Sequence, residues 1–551
     1  MRRVNIVGSG LAGLSAAIHL AMLGLSSNLI SALPSERAQS VLAEGGINAA
    51  LDTMGEHDTP AEHFADTMKG GVDLADPNAV AGLTEEAPNL VRWLFSLGAP
   101  FQMENESLIL RNFGGQKKKR TAYAKSSTGK VLMTALIDEA RKWESSGLII
   151  RWPHHVVEDL KIEAGSCTGL IMRDTFNDRL LDCDGPVLLC SGGMNGVFPG
   201  LTTGTVPNTG NLTALAFSKG AELGNLEFLQ YHPTTVGIPG KRMLISEAAR
   251  GEGGRLYILR EGKPWYFMEE KYPELKNLMP RDVVSREMFF AVRREDCGDQ
   301  VFLDLTGLPS PTWEKKLSDM REEIIHYLSI DPVKEPVPVD PGIHFFMGGI
   351  LVNEQHRSSL PGLYAAGECA CQYHGANRLG GNSMLGALYG GKVAAEHISG
   401  LLREDGAPDS EPAALGPASV DWTRERSVSP GQIERLKSIL WDGLGIAREE
   451  TTLRAACDRL EALLSEDLTP WERNRALLGK AMLVSALERK ESRGAHYRWD
   501  FPERNDAGFR KTTVAVCRNG EVSVSFRPIP ERRPTARVRF DGKEPDDGTN
   551  P

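Results

Sequence analysis

The chain has 551 residues, which at ordinary domain sizes is room for about three to four domains, and its 41% hydrophobic and 25% charged residues are the balance of a globular protein. A net charge of −10 excludes free nucleic acid as a partner, because neutralising phosphates takes a basic face. The eight cysteines are irregularly spaced and form no disulfide framework, and the close pair Cys369 and Cys371 lacks the spacing and neighbouring ligands of a zinc or iron–sulfur site.

Val4–Val7 reads as a short buried strand leading into Gly8-Ser-Gly10-Leu11-Ala12-Gly13. The start passes straight into this strand, without room for a secretory leader, and no run approaches the roughly 18 apolar residues of a membrane span. The expected location is the cytoplasm, or the inner face of a membrane through partner subunits. Helical spacing over residues 14–23 stops at Gly24, and Ser27–Ser31 is a second strand. In this setting Gly8 makes the turn, Gly10 lets the backbone approach a pyrophosphate, and Gly13 permits close helix–strand packing. The second strand ends Leu29-Ile30-Ser31-Ala32, without the acid that takes ribose hydroxyls. Glu36 could serve only if its loop folded back, so NAD and FAD both stay open on these residues.

Strand-like runs recur at residues 148–152 and 186–191. From 228 to 342 the sequence turns richer in proline and charge, with a helix expected over 311–328. Apolar, glycine-rich sequence returns at 348–352 and 362–367, ahead of a helix over 383–401. A Pro/Gly/Asp-rich linker covers 404–429, the periodicity of a helical bundle covers 430–493, and the tail from Arg527 reads as extended or disordered. The predicted class is α/β. A nucleotide-binding domain of residues 1–227 and 343–403 is interrupted by 228–342, with a helical domain at 430–510 and a C-terminal extension at 511–551.

A second glycine cluster, Ser40-Val-Leu-Ala-Glu44-Gly45-Gly46, opens a series of ordered blocks. They include His63-x-x-Asp66, Arg111-Asn-Phe-Gly-Gly115-Gln116, Phe228-Leu-Gln-Tyr-His232 and Ser246-Glu247-Ala-Ala-Arg250. Pro280-Arg281-Asp282, His344-Phe-Phe-Met-Gly348, Gly367-Glu368, Arg378-Leu-Gly-Gly-Asn382-Ser383 and Glu491-Ser-Arg-Gly-Ala-His496 follow. Together, over residues 4 to 510, they resemble the succinate dehydrogenase/fumarate reductase flavoproteins, a family that also holds the L-aspartate oxidases.

The resemblance implies a glutathione-reductase-like FAD domain with a capping domain, and FAD as cofactor. By the family pattern Arg378 and His344 would hold one carboxylate of a dicarboxylate substrate, and His232 with Ser246, in place of the commoner threonine, the other. Arg281 matches the proton donor, and Glu247 and Arg250 the groups that pass it a proton. Gly8, Gly10, Leu11, Ala12, Gly13, Ser31, Ser40, Glu44, Gly45, Gly46, Asn211, Arg378 and Ser383 would contact the cofactor, Glu368 its ribityl chain, and Ser383 with Leu385 would flank the isoalloxazine. Taken singly, Arg281 beside Asp282 would be an ion pair at a helix start, and Lys117–Lys119 a solvated charge run.

Four departures from the family carry information. Gln39 stands where membrane-bound relatives have the histidine that binds FAD covalently, which implies non-covalent FAD and, in this family, a lower flavin potential suited to fumarate reduction. Gln116 stands where L-aspartate oxidases have a glutamate, leaving a substrate ammonium without its partner. Asn211 replaces an aspartate and is expected still to meet the flavin. Ala249 replaces a reactive cysteine. The expected function is a fumarate reductase flavoprotein fed by an iron–sulfur subunit. The alternatives are an L-aspartate oxidase, a succinate dehydrogenase, or an electron-transfer subunit without dicarboxylate chemistry.

Overall fold

The computed structural model describes residues 3–125, 127–405, 413–414 and 428–533. Val4–Val7 runs through the middle of a five-stranded parallel sheet. Ser27–Ser31 and then Ile149–Pro153 lie on one side, Val187–Leu189 and then Leu363–Ala365 on the other. All four residues of the first strand are buried, as a strand covered on both faces requires. The helix Leu11–Met22 lies against Asn382–Asp405 at very short range. A Cβ on Gly13 would stand 1.8 Å from Gly8 O, and one on Gly391 2.2 Å from Ala12 O.

Leu229–Ile238 leaves this body and Val337–Phe346 returns to it, paired antiparallel with His232 opposite Gly342. With four strands from between them they make a six-stranded sheet, and this sheet and the helices Arg281–Ala291 and Ser318–Leu328 build a cap with its own core of Ile245, Leu256, Phe267, Met288, Leu303 and Ile324. The helix expected over 311–328 is two, Ser310–Lys315 and Ser318–Leu328, broken at Lys316 and Leu317. Three helices, Pro430–Leu444, Glu450–Leu464 and Pro470–Glu488, form the expected bundle, the last begun by a capping box of Thr469 and Glu472.

Most of the described part of the C-terminal extension lies ahead of the tail that starts at Arg527 and is regular structure. Lys511–Arg518 and Glu521–Pro528 form a hairpin about Asn519 and Gly520 and join Leu223–Gly224, Gly349–Leu351 and Ala370–Cys371 in a mixed sheet. The disorder expected of the tail falls on residues 534–551, outside the described residues. Of the expected linker, Ala413–Ala414 pairs with Leu181 and Asp182, while 406–412 and 415–427 also lie outside them. No helix among the described residues is long and apolar enough to cross a membrane.

Arg489, wholly buried, ties hairpin, bundle and body together. Its five N–H donors reach Glu227 Oε1 at 2.6 Å, Glu491 Oε1 at 3.0 Å, Phe509 O and Lys511 O at 2.8 Å and Thr513 Oγ1 at 2.7 Å. Replacing it by methionine leaves the buried Glu227 without its cation, a loss of about 3–5 kcal/mol. Arg489→Met is therefore expected to melt well below the wild type and to expose the 511–528 hairpin to protease. An unchanged melting temperature would contradict this account.

Candidate active site

The N-terminus of helix Leu11–Met22 opens on a cavity of about 1070 Å³ between body and cap. Gly10 at the helix start has no side-chain cap, and the Leu11 N–H donates to Ser40 Oγ at 3.2 Å. Ser40, Glu44, Gly45 and Gly46 continue this wall, Glu368 and Gly192 face it from beyond the carboxyl ends of the parallel strands, and Ser383 from the first turn of helix Asn382–Asp405. A narrower lobe of about 220 Å³, lined by Gly8, Ser31, Asn211 and Trp471, shares Gly10, Gln39, Ser40 and Cys190 with the first.

At the cap end of the main cavity His232, Ser246, Glu247, Arg281, His344 and Arg378 come together. Glu247 Oε2 accepts from Arg281 Nε at 2.8 Å and Nη2 at 2.7 Å, and its Oε1 from the Gly114 N–H at 2.8 Å. Burial alone would raise the Glu247 pKa. The charges of Arg281 and Arg250 and the hydrogen bonds outweigh it and hold the group below the ordinary carboxylate value. Arg250 sits behind Glu247, off the cavity wall, with Nη2 3.9 Å from its Oε1 and Nη1 donating to Asn277 O at 2.6 Å. Asp282 takes no part in this pair. The simple ion pair with Arg281 is replaced by one with Glu247, while Asp282 accepts from Asn377.

Arg378 is buried with its guanidinium 4.4 Å from the centre of the Phe345 ring, and its Nε has no hydrogen-bond partner among the described residues. Burial first, then the charge of Arg281, pulls its pKa down to about 9. His232 and His344 lie with ring centres 5.2 Å apart. Desolvation and then the neighbouring Arg281 hold both well below an ordinary histidine, so both rings are neutral. Because His232 Nδ1 accepts from the Thr234 N–H at 3.3 Å, its Nε2 carries the proton and is a donor. His344 Nδ1 meets Thr203 Oγ1 at 2.8 Å. Burial raises Glu368 to about 7 and Glu44 to about 8, the nearby Ser246 hydroxyl opposing the rise at Glu44.

Some expected contacts lie elsewhere. Leu385 is fully buried in the helix core and not on the cavity wall. Two residues along a helix from Ser383 is about 200° around it, so the Leu385 side chain points into the core while Ser383 lines the cavity. Gly13 is a packing position beside Gly8. Asn211 lies in the narrow lobe, its Oδ1 taken by Arg475 Nε, rather than at the end where the arginines gather. Glu36 pairs with Arg141 at the surface. Gln116 stands behind the wall, donating to Asn48 Oδ1 at 3.0 Å and Gly380 O at 2.9 Å. Lys117 and Lys119 are exposed as expected, while Lys118 is half-buried and donates to Glu56 O.

Gln230, Asn377 and Thr203 were not legible as site residues. Each is an ordinary polar residue inside or near a recognisable block, and only its partners mark it out. The two joined lobes, the bare glycine backbone at a helix start, and the orphaned Arg378 Nε beyond them fit a dinucleotide with an anionic substrate at its far end.

A family model described as an FAD binding domain matches residues 3–384, and one described as fumarate reductase flavoprotein C-term matches 472–539. The chain is 36% identical over 553 residues to the succinate dehydrogenase flavoprotein subunit of Bacillus subtilis, covering 93% of each. It is 33% identical over 565 residues to the L-aspartate oxidase of Streptomyces coelicolor, covering 97% of this chain and 94% of that one. An E. coli quinol fumarate reductase mutant superposes with a TM-score of 0.85 at 28% identity, over 97% of this chain and 98% of that one.

The raised carboxyls set a pH dependence. Glu368 and Glu44 are neutral below about 7 and about 8 and anionic above, and Arg378 loses charge towards about 9. Each change makes the cavity less attractive to a dianion. The dissociation constant of malonate, followed by flavin absorbance, is expected to rise steadily with pH. A flat or falling profile would contradict the assignment.

Proposed function

Because the chain belongs to the succinate dehydrogenase/fumarate reductase flavoprotein family, we propose that this FAD-dependent oxidoreductase is the catalytic flavoprotein of a fumarate reductase. The observation that carries the reading is Arg281, held by Glu247 at the cavity wall beside the unpaired guanidinium of Arg378.

Gly8, Gly10, Leu11 and Ala12 would take the pyrophosphate, Ser31 and Asn211 the adenosine side, and Ser40, Glu44, Gly45, Gly46, Glu368 and Ser383 the flavin side of FAD. Reduced FAD, when bound, supplies a hydride. Arg378, a planar fork of donors, and His344 grip one carboxylate of fumarate, and His232 Nε2–H and Ser246 the other. These cations and donors draw electron density from the alkene. One alkene carbon gains the hydride as the π bond opens, and the other takes a proton from Arg281. Arginine is a weak acid, so this transfer needs the carbanion to develop close beside it. Glu247 then passes a proton from Arg250 to Arg281, which restores the donor.

Direction rests on Gln39. An amide cannot form the histidyl–flavin bond, and this one already accepts from the Thr205 N–H at 2.6 Å. Non-covalent FAD favours fumarate reduction over succinate oxidation, so succinate should be oxidised slowly. Aspartate is the lesser reading, because the Gln116 carboxamide is taken up by Asn48 and Gly380 and offers an ammonium no charge. The Bacillus subtilis relative is by name a flavoprotein subunit, which supports a partner subunit, in this reading an iron–sulfur protein that delivers the electrons and makes any membrane contact. Reduction of fumarate by viologen-reduced protein, run beside aspartate oxidation, separates these readings.

Acid or denaturant is expected to release all the FAD into the supernatant. Yellow colour staying with the precipitated polypeptide would overturn the role given to Gln39. In Arg281→Lys, fumarate reduction should fall by roughly 10²–10⁴-fold, about 3–5 kcal/mol of barrier, while FAD and malonate binding persist. Arg378→Lys should instead weaken malonate binding by about tenfold or more. Normal turnover in Arg281→Lys would remove the proposed mechanism.

A further inference from the structure

Two buried carboxamides join the proposed proton donor to the proposed substrate anchor. Arg281 Nη1 donates to Gln230 Oε1 at 3.3 Å, and Gln230 Nε2 donates to Arg378 O and to Asn377 Oδ1, both at 2.8 Å. The ring is closed from the other side by Asn377 Nδ2, which donates to Asp282 Oδ1 at 3.0 Å. Asp282 is the second residue of the cap helix Arg281–Ala291, and Asn377 precedes Arg378 in the loop of the body that ends at helix Asn382–Asp405. Gln230 and Asn377 are buried, and each amide is used in both its donor and acceptor senses, so neither can rotate without losing a partner.

We infer that Asn377 and Asp282 are positioning residues, which act as one link that fixes the start of the cap helix, and with it Arg281, against the loop carrying Arg378. Neither touches the cavity. Their effect runs through the placement of the Arg281 guanidinium, and a misplacement of about 1 Å costs on the order of 10²-fold in rate. Helix Arg281–Ala291 has no side-chain cap at Pro280 to hold its first turn, so the Asp282–Asn377 contact, beside that of Arg281 with Gln230, ties the turn to the body. The inference rests on the fumarate reductase reading, in which proton donation by Arg281 limits turnover.

The test uses the FAD-loaded full chain and reads turnover of fumarate with reduced viologen beside the dissociation constant of malonate. Asn377→Ala and Asp282→Ala are each expected to lower kcat by on the order of 10²-fold, with malonate affinity and FAD content little changed. The double variant should lose no more than either single one, because a link is broken only once. Asp282→Asn, which keeps the acceptor oxygen, should recover most of the loss, while Asn377→Asp, which sets two carboxylates together, should not. Additive losses, a fall in malonate affinity matching the fall in kcat, or normal turnover in Asn377→Ala would each overturn the inference. If Arg281→Lys itself turns over normally, the catalytic reading fails. If Arg281→Lys is impaired and Asn377→Ala is not, only the positioning role fails.

Discussion

Around the single carboxylate of Glu247 the structure buries three arginines, Arg250, Arg281 and Arg378, and this surplus of cation is what the rest of the site is arranged to hold. A guanidinium out of water is costly unless something replaces its hydration. Arg281 has Oε2 of Glu247 and Oε1 of Gln230, Arg250 has Asn277 O, and Arg378 has the face of Phe345. The residual strain is visible in the lowered pKa values of Arg250 and Arg378, for which burial is the leading cause. On the proposed function a dicarboxylate would supply the two missing charges. The site is thus complementary to a dianion before any has bound, and part of its affinity is relief of a cost already present in the protein.

Holding such a surplus needs walls that cannot shift towards it. The antiparallel pair Leu229–Ile238 and Val337–Phe346 sets His232 and His344 side by side from positions more than a hundred residues apart in sequence. The loop after Arg378 is clamped by neutral groups. Asn48 donates to Gly380 O and Asn382 Oδ1, Gln116 to Gly380 O, and His63 Nε2 lies 3.0 Å from Asn382 Oδ1. Amides suit this place because they fix geometry by direction of hydrogen bonding and add no net charge beside the arginines.

The opening strand, turn and helix were legible because hydrophobic period, glycine spacing and position all agree. The helix Pro77–Ser96 was not assigned, although Asp76 caps it and Pro77 opens it, because no chemistry drew attention there. In the C-terminal hairpin the alternation of Val514, Val516, Val522 and Val524 around Asn519-Gly520 was a readable turn signal, overridden by the arginine- and proline-rich sequence beyond it. At the site, charged groups and histidines could be matched to their blocks. The phase of Leu385 and the lobe occupied by Asn211 depend on helix starts that the sequence leaves undefined to within a residue or two.

The mixed sheet has a consequence for biosynthesis. Leu223–Gly224, next to the point where the cap begins, is paired with residues 514 and 515, and the first strand Val4–Val7 with residues 187–189. At ribosomal rates of about 5–20 residues per second, the hairpin emerges from roughly half a minute to nearly two minutes after the first strand. Through that interval the cofactor-binding half exposes an unpaired strand edge and much of its apolar interior. The nascent chain therefore carries that open edge until nearly all of its length has been made.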